Sequence, residues 1–596
     1  MHDELNLTFK GDNFIRLEDE KHETCWVSKA QSIISFAAGD ASKVNSDISV
    51  QKDGQTIWMD VKLENKDVPD VRLEVDFPCL VLNSEHEISY CFPSLNPTIG
   101  KGPIELKMPY STWYPMQFMG FWNDKRAVLT LMSQDRDNFD KSFIINKSSE
   151  EVVRCAIRYK LRLEQSQPVV LHAILVAGEG DWHESLMLYR SLWHKSHAQS
   201  QRNIAWLPKT YLFRQWFMHK NYDEPVFNER TGVFTTEQKF SDDISLVGDV
   251  DYVQIFDWAY EPGLGRLGKY TPWEYLRGSH NFEQMLDCLH KKGVHTGIYF
   301  EGYLLGRDTP FADDIGGKAH VRKENNMCYS YSGEEYYTLC PGDGTWTEWL
   351  QSHISDTLNK LVDYVDAVYI DEYCCGEQYP CHSELHSHVR GRTQIQREKL
   401  FLQELRKQVP LDKSIITEYF PSDESIALVD ASLTYANPLV NLSRFAFPEF
   451  KQFVIIKCDM PLHNDVEAAK RIFFNGQGIW LSGNLHDEEW FGGDFLKFVR
   501  KMHKIQRNNN EFESLDCTPL LYGGYNDIAI NEFRGKDTVI WTLYNVSKER
   551  IKKSYRVPEG MRTAIDIWNE KNVVLSNFEI AVDLECGEIG CVKFAK

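Results

Sequence analysis

Hydrophobic and polar positions follow three successive regimes along the chain. Up to about residue 200 they alternate in short runs: TIWMDVKLEN (56–65), VRLEVDFPCLVL (71–82), RAVLTLMSQD (126–135) and VVRCAIRYKLRLE (152–164). Period-two alternation interrupted by turn residues predicts antiparallel strands with one face in a core. Residues 1–200 therefore read as an N-terminal β-sandwich. A helix is expected over DWHESLMLYRSLWHK (181–195).

From about 205 the runs become continuously apolar and end in polar or acidic residues. Eight can be laid out: YLFRQWF (211–217), YVQIFDW (252–258), VHTGIYFEG (294–302), DAVYIDEY (366–373), SIITEYF (414–420), DASLTYA (430–436), FVIIKCD (453–459) and GIWLSGN (478–484). Amphipathic stretches lie between them, at 281–293, 345–365 and 392–409. Apolar strands alternating with helices mean a parallel sheet covered on both faces. Eight such units over residues 205–508 predict an α/β fold, a (β/α)8 TIM barrel. The interval 430–453 is short for a crossover helix. In GDGTWTEW (342–349), Thr345 with Glu348 reads as a helix start with a capping box. After 510 the strand pattern returns and predicts a small C-terminal β-sandwich over 510–596.

Catalytic residues of such barrels lie where the strands end. Here four consecutive strand ends carry acids: Asp257, Glu301, Asp371 with Glu372, and Glu418. Carboxylates are costly to bury unless they are paired or hydrogen-bonded, so four in succession predict a carboxylate-based active site. Strand period places Tyr369, Asp371 and Tyr373 on one face, and Ile416 and Glu418 on one face of the next strand. Acids on adjacent strand ends stand about 5–6 Å apart, the spacing of retaining glycosidases, whereas inverting enzymes need roughly 6.5–9.5 Å.

The run VYIDEY, the preceding LCPGDGTWTEWLQ (339–351) and the following CHSELHSHVRG (381–391) resemble a bacterial family of glycosidase-like (β/α)8 proteins catalogued mainly as a domain of unknown function. An Asp ending the fourth strand and a Glu ending the fifth are more distantly similar to the endo-α-N-acetylgalactosaminidase group and the α-amylase superfamily. The resemblance spans about 205–500. It implies that Asp371 is the nucleophile and Glu418 the acid/base, and it suggests an α-linkage. Position 369 is Tyr, where α-amylases place Arg two residues before the Asp, which argues against a true α-amylase.

Other residues are candidates for substrate contact: Asp257 and Glu301 for sugar hydroxyls, and Trp216, Trp258, Tyr303, Tyr373 and Tyr419 as stacking surfaces or packing. Arg214 shares a face with Trp216 and reads as a partner for acids. Cys374, Cys375, Cys381, His382, His386 and His388 form a Cys/His-rich segment. It lacks CxxC and HExxH spacing, so a loop contacting substrate, with His386 and His388 foremost, is preferred to a structural tie or a zinc site. Asp459, His463, His486 and Asp487 are further loop candidates.

Composition narrows the choice. In 596 residues, 87 Asp and Glu outweigh 66 Lys and Arg, for a net charge of −21. A phosphate-binding surface is disfavoured, so no nucleic-acid partner is expected. No apolar run is long enough to span a bilayer. The opening MHDELNLTFKGDNF has no basic-then-apolar leader, and the 14 Cys have no disulfide-framework spacing, so reduced thiols in a cytoplasm are expected. The expectation is a retaining glycoside hydrolase without a cofactor, acting on an oligo- or polysaccharide or glycoconjugate. The alternatives are a non-catalytic carbohydrate-binding protein on a glycosidase scaffold and a metal-dependent hydrolase using the Cys/His loop.

Overall fold

The computed structural model describes residues 6–596 except 11–13, 20, 22, 30–32, 67, 112, 166, 198–203, 219–223, 260–269, 271–278, 310–311, 330–335, 375–378, 458–465, 489–490, 523 and 525. Its N-terminal part consists of two antiparallel sheets, one of eight strands and one of seven. Thr56–Asn65 buries every second residue, as its alternation requires. Ile57, Met59 and Val61 of one sheet meet Leu73, Val75 and Ile157 of the other in a shared core. The helix Trp182–Ser196 follows, with Asp181 accepting from the His183 N–H at its start.

The centre is a closed barrel of eight strands, all parallel: Leu212–Phe217, Tyr252–Phe256, His295–Glu301, Ala367–Asp371, Ser414–Thr417, Ala431–Thr434, Lys451–Lys457 and Gly478–Ser482. The chain therefore has the expected α/β fold, a (β/α)8 barrel between β-rich flanks. Full burial of the first and eighth strands explains their unbroken apolar runs. The crossover after the sixth strand holds only the short helix Leu442–Ala446, which accounts for its tight interval. Asp343, not Thr345, caps Gly344–Lys360, accepting from the Thr345 and Trp346 N–H groups. A carboxylate at this position answers two orphan donors at once.

A six-stranded sheet and a two-stranded sheet close the C-terminal end around Ile530, Trp541, Tyr555, Ile580 and Phe594. Asn531 and Thr542 fasten this part to the barrel by donating to the Phe474 carbonyl at 2.9 and 2.7 Å. The N-terminal sheets are fastened by Asp423, just after the fifth strand. Its carboxylate accepts from Tyr110 at 2.6 Å, Tyr189 at 2.5 Å, and the Gln117 backbone and side chain at 3.1 Å each. Among the described residues no helix is long and apolar enough to cross a membrane.

Candidate active site

The third, fourth and fifth strands are neighbours, with Glu301 opposite Asp371 and Ile370 opposite Thr417. This register brings Glu301, Asp371 and Glu418 together at the C-terminal end of the barrel. Glu418 immediately follows its strand and donates its N–H to the Ile370 carbonyl at 3.2 Å. Just past the fourth strand Glu372 has φ 62°, a left-handed conformation that costs a non-glycine residue energy. The turn aims the Glu372 N–H at Glu418 Oε2, 3.0 Å away. Asp257, after the second strand, has φ 57° and is buried.

Tyr299, Tyr369 and Tyr435 hold these acids, and for the first two the signal lies in the sequence. Tyr299 and Tyr369 each stand two residues before an acid, on the same face of its strand. Tyr369 donates to Asp371 Oδ1 at 2.8 Å. The Tyr299 hydroxyl lies 2.7 Å from both Asp371 Oδ2 and Glu301 Oε2. A phenol has one proton, so one of these two carboxyls must supply the other. Glu301 is the donor. Burial, then the Asp371 charge, pushes its carboxyl up to about 8, and its Oε1 accepts from the Tyr303 and Leu304 N–H groups at 3.0 and 3.2 Å. The proton on Oε2 then points to Tyr299, and Tyr299 points to Asp371. The nearby Asp371 thus accepts one hydrogen bond on each oxygen.

Glu418 is half-buried and differently held. Tyr435 donates to its Oε1 at 2.6 Å. Burial, followed by the charges of Asp371 and Glu372, pushes its carboxyl well above the ordinary value, against the pull of Tyr435 and the Glu372 N–H. Two adjacent carboxyls in unlike environments are the physical basis for dividing acid and base roles.

The remaining sequence candidates separate by burial. Trp216 is fully buried and donates to Asp243 Oδ2 at 2.8 Å. Arg214 donates to the same carboxylate at 3.0 and 3.4 Å, so this face of the first strand points outward to the helix Thr236–Val247 and not into the mouth. Burial works against the Asp243 charge, but Arg214 and Lys239 with Trp216 hold its pKa below the usual value. Trp258 is fully buried with its Nε1 on the Tyr299 carbonyl at 2.8 Å. Tyr373 is buried against Tyr303 and Phe401, because the left-handed turn at Glu372 breaks the strand alternation that would have aligned it with Asp371. Tyr303 donates to Glu398, which also accepts from the Cys374 N–H. Of the five aromatics read as stacking surfaces, only Tyr419 keeps a partly open ring, 5.3 Å from the equally half-buried Tyr435. Phe256 adds a half-buried ring beside Tyr299 and Tyr369. Glu301 is 2% exposed, and both of its oxygens are taken, Oε1 by backbone N–H groups and Oε2 by Tyr299. His486 is exposed on its loop; Asp487 is half-buried. Cys375, Asp459 and His463 lie outside the described residues.

His386 and His388 are buried too, in company the sequence did not indicate. Cys340, from before the helix Gly344–Lys360, joins Cys381, His386 and His388, and their four ligand atoms lie within 4.8 Å of one another. Burial opposes ionisation of Cys340, but the Cys381 thiol and the Arg397 guanidinium outweigh it and bring the thiol down to about 7.

Residues 169–439 match the family model described as Domain of unknown function (DUF6259). The match spans the first six barrel strands, both acids and the Cys/His cluster, in keeping with the resemblance read from VYIDEY. No curated protein matches the chain. Among solved structures, the alpha-N-acetylgalactosaminidase NagBb from Bifidobacterium bifidum is similar with a TM-score of 0.61 at 11% identity, covering 91% of this chain and 97% of that one. The GH36 alpha-galactosidase AgaB from Geobacillus stearothermophilus is similar with a TM-score of 0.60 at 9% identity, covering 99% of this chain and 90% of that one. At these identities the likeness shows a glycosidase-like fold.

Proposed function

We propose that this protein is a retaining glycoside hydrolase in which Asp371 is the nucleophile and Glu418 the acid/base. The observation that carries the reading is the unlike pairing of the two acids. Asp371 is oriented by two phenols. In Glu418 burial and the charges of Asp371 and Glu372 favour the protonated form. In the first step Asp371 attacks the anomeric carbon while Glu418 protonates the leaving oxygen. In the second, Glu418 takes a proton from water as that water releases the sugar from Asp371. Tyr299 and Tyr369 hold the attacking carboxylate in one rotamer throughout. The partly open rings of Tyr419, Tyr435 and Phe256 provide an apolar rim for a sugar face. An α-linked sugar of galactose type is the substrate class that the similar structures support, since their names specify alpha-galactosidase and alpha-N-acetylgalactosaminidase activity.

The test is a panel of aryl α- and β-glycosides followed by NMR, which reports the sugar and the first anomer released. Retention is expected. Asp371→Ala should nearly abolish turnover, with azide restoring part of it through the vacated position. Full activity in Asp371→Ala, or an inverted first anomer, would overturn the assignment. Tight glycan binding with no cleavage by the unaltered protein would favour a carbohydrate-binding role.

A further inference from the structure

The four residues gathered behind the fourth strand end are more than a packed cluster. Cys340 Sγ lies 3.2 Å from His388 Nε2, Cys381 Sγ lies 3.3 Å from His386 Nδ1, and His386 Nδ1 lies 3.3 Å from His388 Nε2. The opposite ring nitrogens are already committed. His386 Nε2 faces the Lys318 carbonyl at 2.9 Å, with Asp343 Oδ2 at 3.8 Å, and His388 Nδ1 faces the Val389 carbonyl at 2.9 Å. Carbonyls accept, so each outer nitrogen carries the proton, and each inner nitrogen of a neutral ring presents a lone pair. Two imidazole lone pairs then face each other across 3.3 Å. That contact is repulsive unless a proton or a metal ion sits between them, and the two thiols beside it make a metal site of the same four atoms.

We propose that Cys340, Cys381, His386 and His388 bind one structural zinc ion. The donor set is two sulfurs and two nitrogens, the common closed tetrahedral set for this metal. Zn–S bonds of about 2.3 Å and Zn–N bonds of about 2.0–2.1 Å give a tetrahedron with edges of roughly 3.3–3.8 Å. The His386–His388 distance of 3.3 Å equals the nitrogen–nitrogen edge, and the two sulfur–nitrogen distances, 3.2 and 3.3 Å, lie a few tenths of an ångström inside the edge of about 3.5 Å. Binding releases the two thiol protons, and the two thiolates balance the ion's charge. The surroundings fit the bound state. The outer imidazole bonds fix both tautomers, and Arg397 donates to Cys340 Sγ at 2.9 Å, as an outer-shell donor to a thiolate does. All four protein positions are filled, so the ion has no open site for a substrate or an activated water. This separates the cluster from the chemistry of a metal-dependent hydrolase.

The ion would join the segment before Gly344–Lys360 to the loop that follows Asp371. That loop is otherwise held by Cys374 N–H on Glu398, by Arg397 on the Tyr379 carbonyl, and by His382 N–H on the Arg322 carbonyl. Zinc thus fixes one wall of the barrel mouth without touching the acids.

Elemental analysis of the full chain purified under reducing conditions should find one zinc per chain. Replacing it with cobalt should give the intense visible bands of a tetrahedral thiolate site. Cys340→Ser with Cys381→Ser should lose the metal, while Cys374→Ser should keep it. Should the double variant fail to fold, the cobalt spectrum and X-ray absorption of the unaltered protein decide the question. Two sulfur and two nitrogen neighbours support the site. Absence of metal together with failure to take up zinc or cobalt would overturn it. So would a Cys340–Cys381 disulfide in a non-reduced digest, or metal retained by the double variant.

Discussion

Removing the Tyr435 hydroxyl tests whether Glu418 is the acid. In Tyr435→Phe the carboxylate loses the hydrogen bond it accepts at 2.6 Å. This bond favours the charged form and opposes the rise caused by burial and by Asp371 and Glu372. A hydrogen bond to a charged group contributes about 1.5–3 kcal/mol. At 1.36 kcal/mol per pH unit that is an upward shift of about 1–2 units. Half-burial of Glu418 places the expectation at the lower end, about one unit. A general acid must be protonated to work, so the base limb of the kcat/KM profile should move to higher pH by that amount. Glu372→Gln should move the same limb down, because the Glu372 charge is one of the forces raising Glu418. Carboxyl-carbon NMR of labelled glutamate reports the same two shifts without a substrate. A base limb that stays put or falls in Tyr435→Phe, or one that rises in Glu372→Gln, would refute the role given to Glu418.

Two further expectations concern stability. Glu301 has a folded pKa of about 8 against an ordinary value of 4.5, so the folded state holds a proton that the unfolded state loses. Its contribution is therefore neutral below about pH 4.5, and stability falls as pH rises towards 8, by on the order of 3 kcal/mol at pH 7. Glu301→Gln mimics the protonated acid, so its Tm should match the unaltered protein near pH 4.5 and exceed it increasingly up to pH 8; a constant difference would contradict the protonated Glu301. Asp243→Ala removes the carboxylate that pairs with the buried Arg214 guanidinium and should cost about 3–5 kcal/mol by denaturant unfolding. Because that pair lies behind the barrel wall, KM should not change, and a large KM increase would place it in the mouth after all.

The barrel was legible because its eight strands are apolar on both faces and separated by helices. The strand-end acids were legible because a carboxylate at that position is costly to bury. The same double burial hid orientation. Period-two reasoning pairs Arg214 with Trp216 correctly but cannot tell the barrel interior from the helix layer, and both side chains go to Asp243. Tyr373 was misplaced because Glu372 adopts a left-handed conformation that no local signal announces. Of the five aromatics expected at the rim only Tyr419 stays partly open, because large rings at strand ends fill the packing between strands and helices as readily as they face a ligand. The zinc alternative for the Cys/His segment stood low because its fourth member, Cys340, is separated from the others by a helix and a strand. Spacing rules read local motifs, and this one is assembled by the fold. Tyr299 and Tyr369 were within reach, since Tyr-x-Glu and Tyr-x-Asp place a phenol and an acid on one strand face, whereas Tyr435 reaches Glu418 from the next strand.

The Asp423 junction bears on how this architecture can be taken apart. Five residues after Glu418, the chain enters a pocket furnished by Tyr110, Gln117 and Tyr189. Trp193 Nε1 adds a bond to the Asp423 carbonyl at 3.0 Å. The segment leading away from Glu418 is therefore built into the packing of the N-terminal part, against both its loops and the helix Trp182–Ser196. An excised barrel would leave the Asp423 carboxylate without the four hydrogen bonds it takes from Tyr110, Gln117 and Tyr189, five residues from Glu418. The barrel is not an interchangeable cassette. Any chimaera that exchanges the barrel with that of a related protein must carry residues 104–118 and the helix Trp182–Ser196 along with it, as one inherited unit.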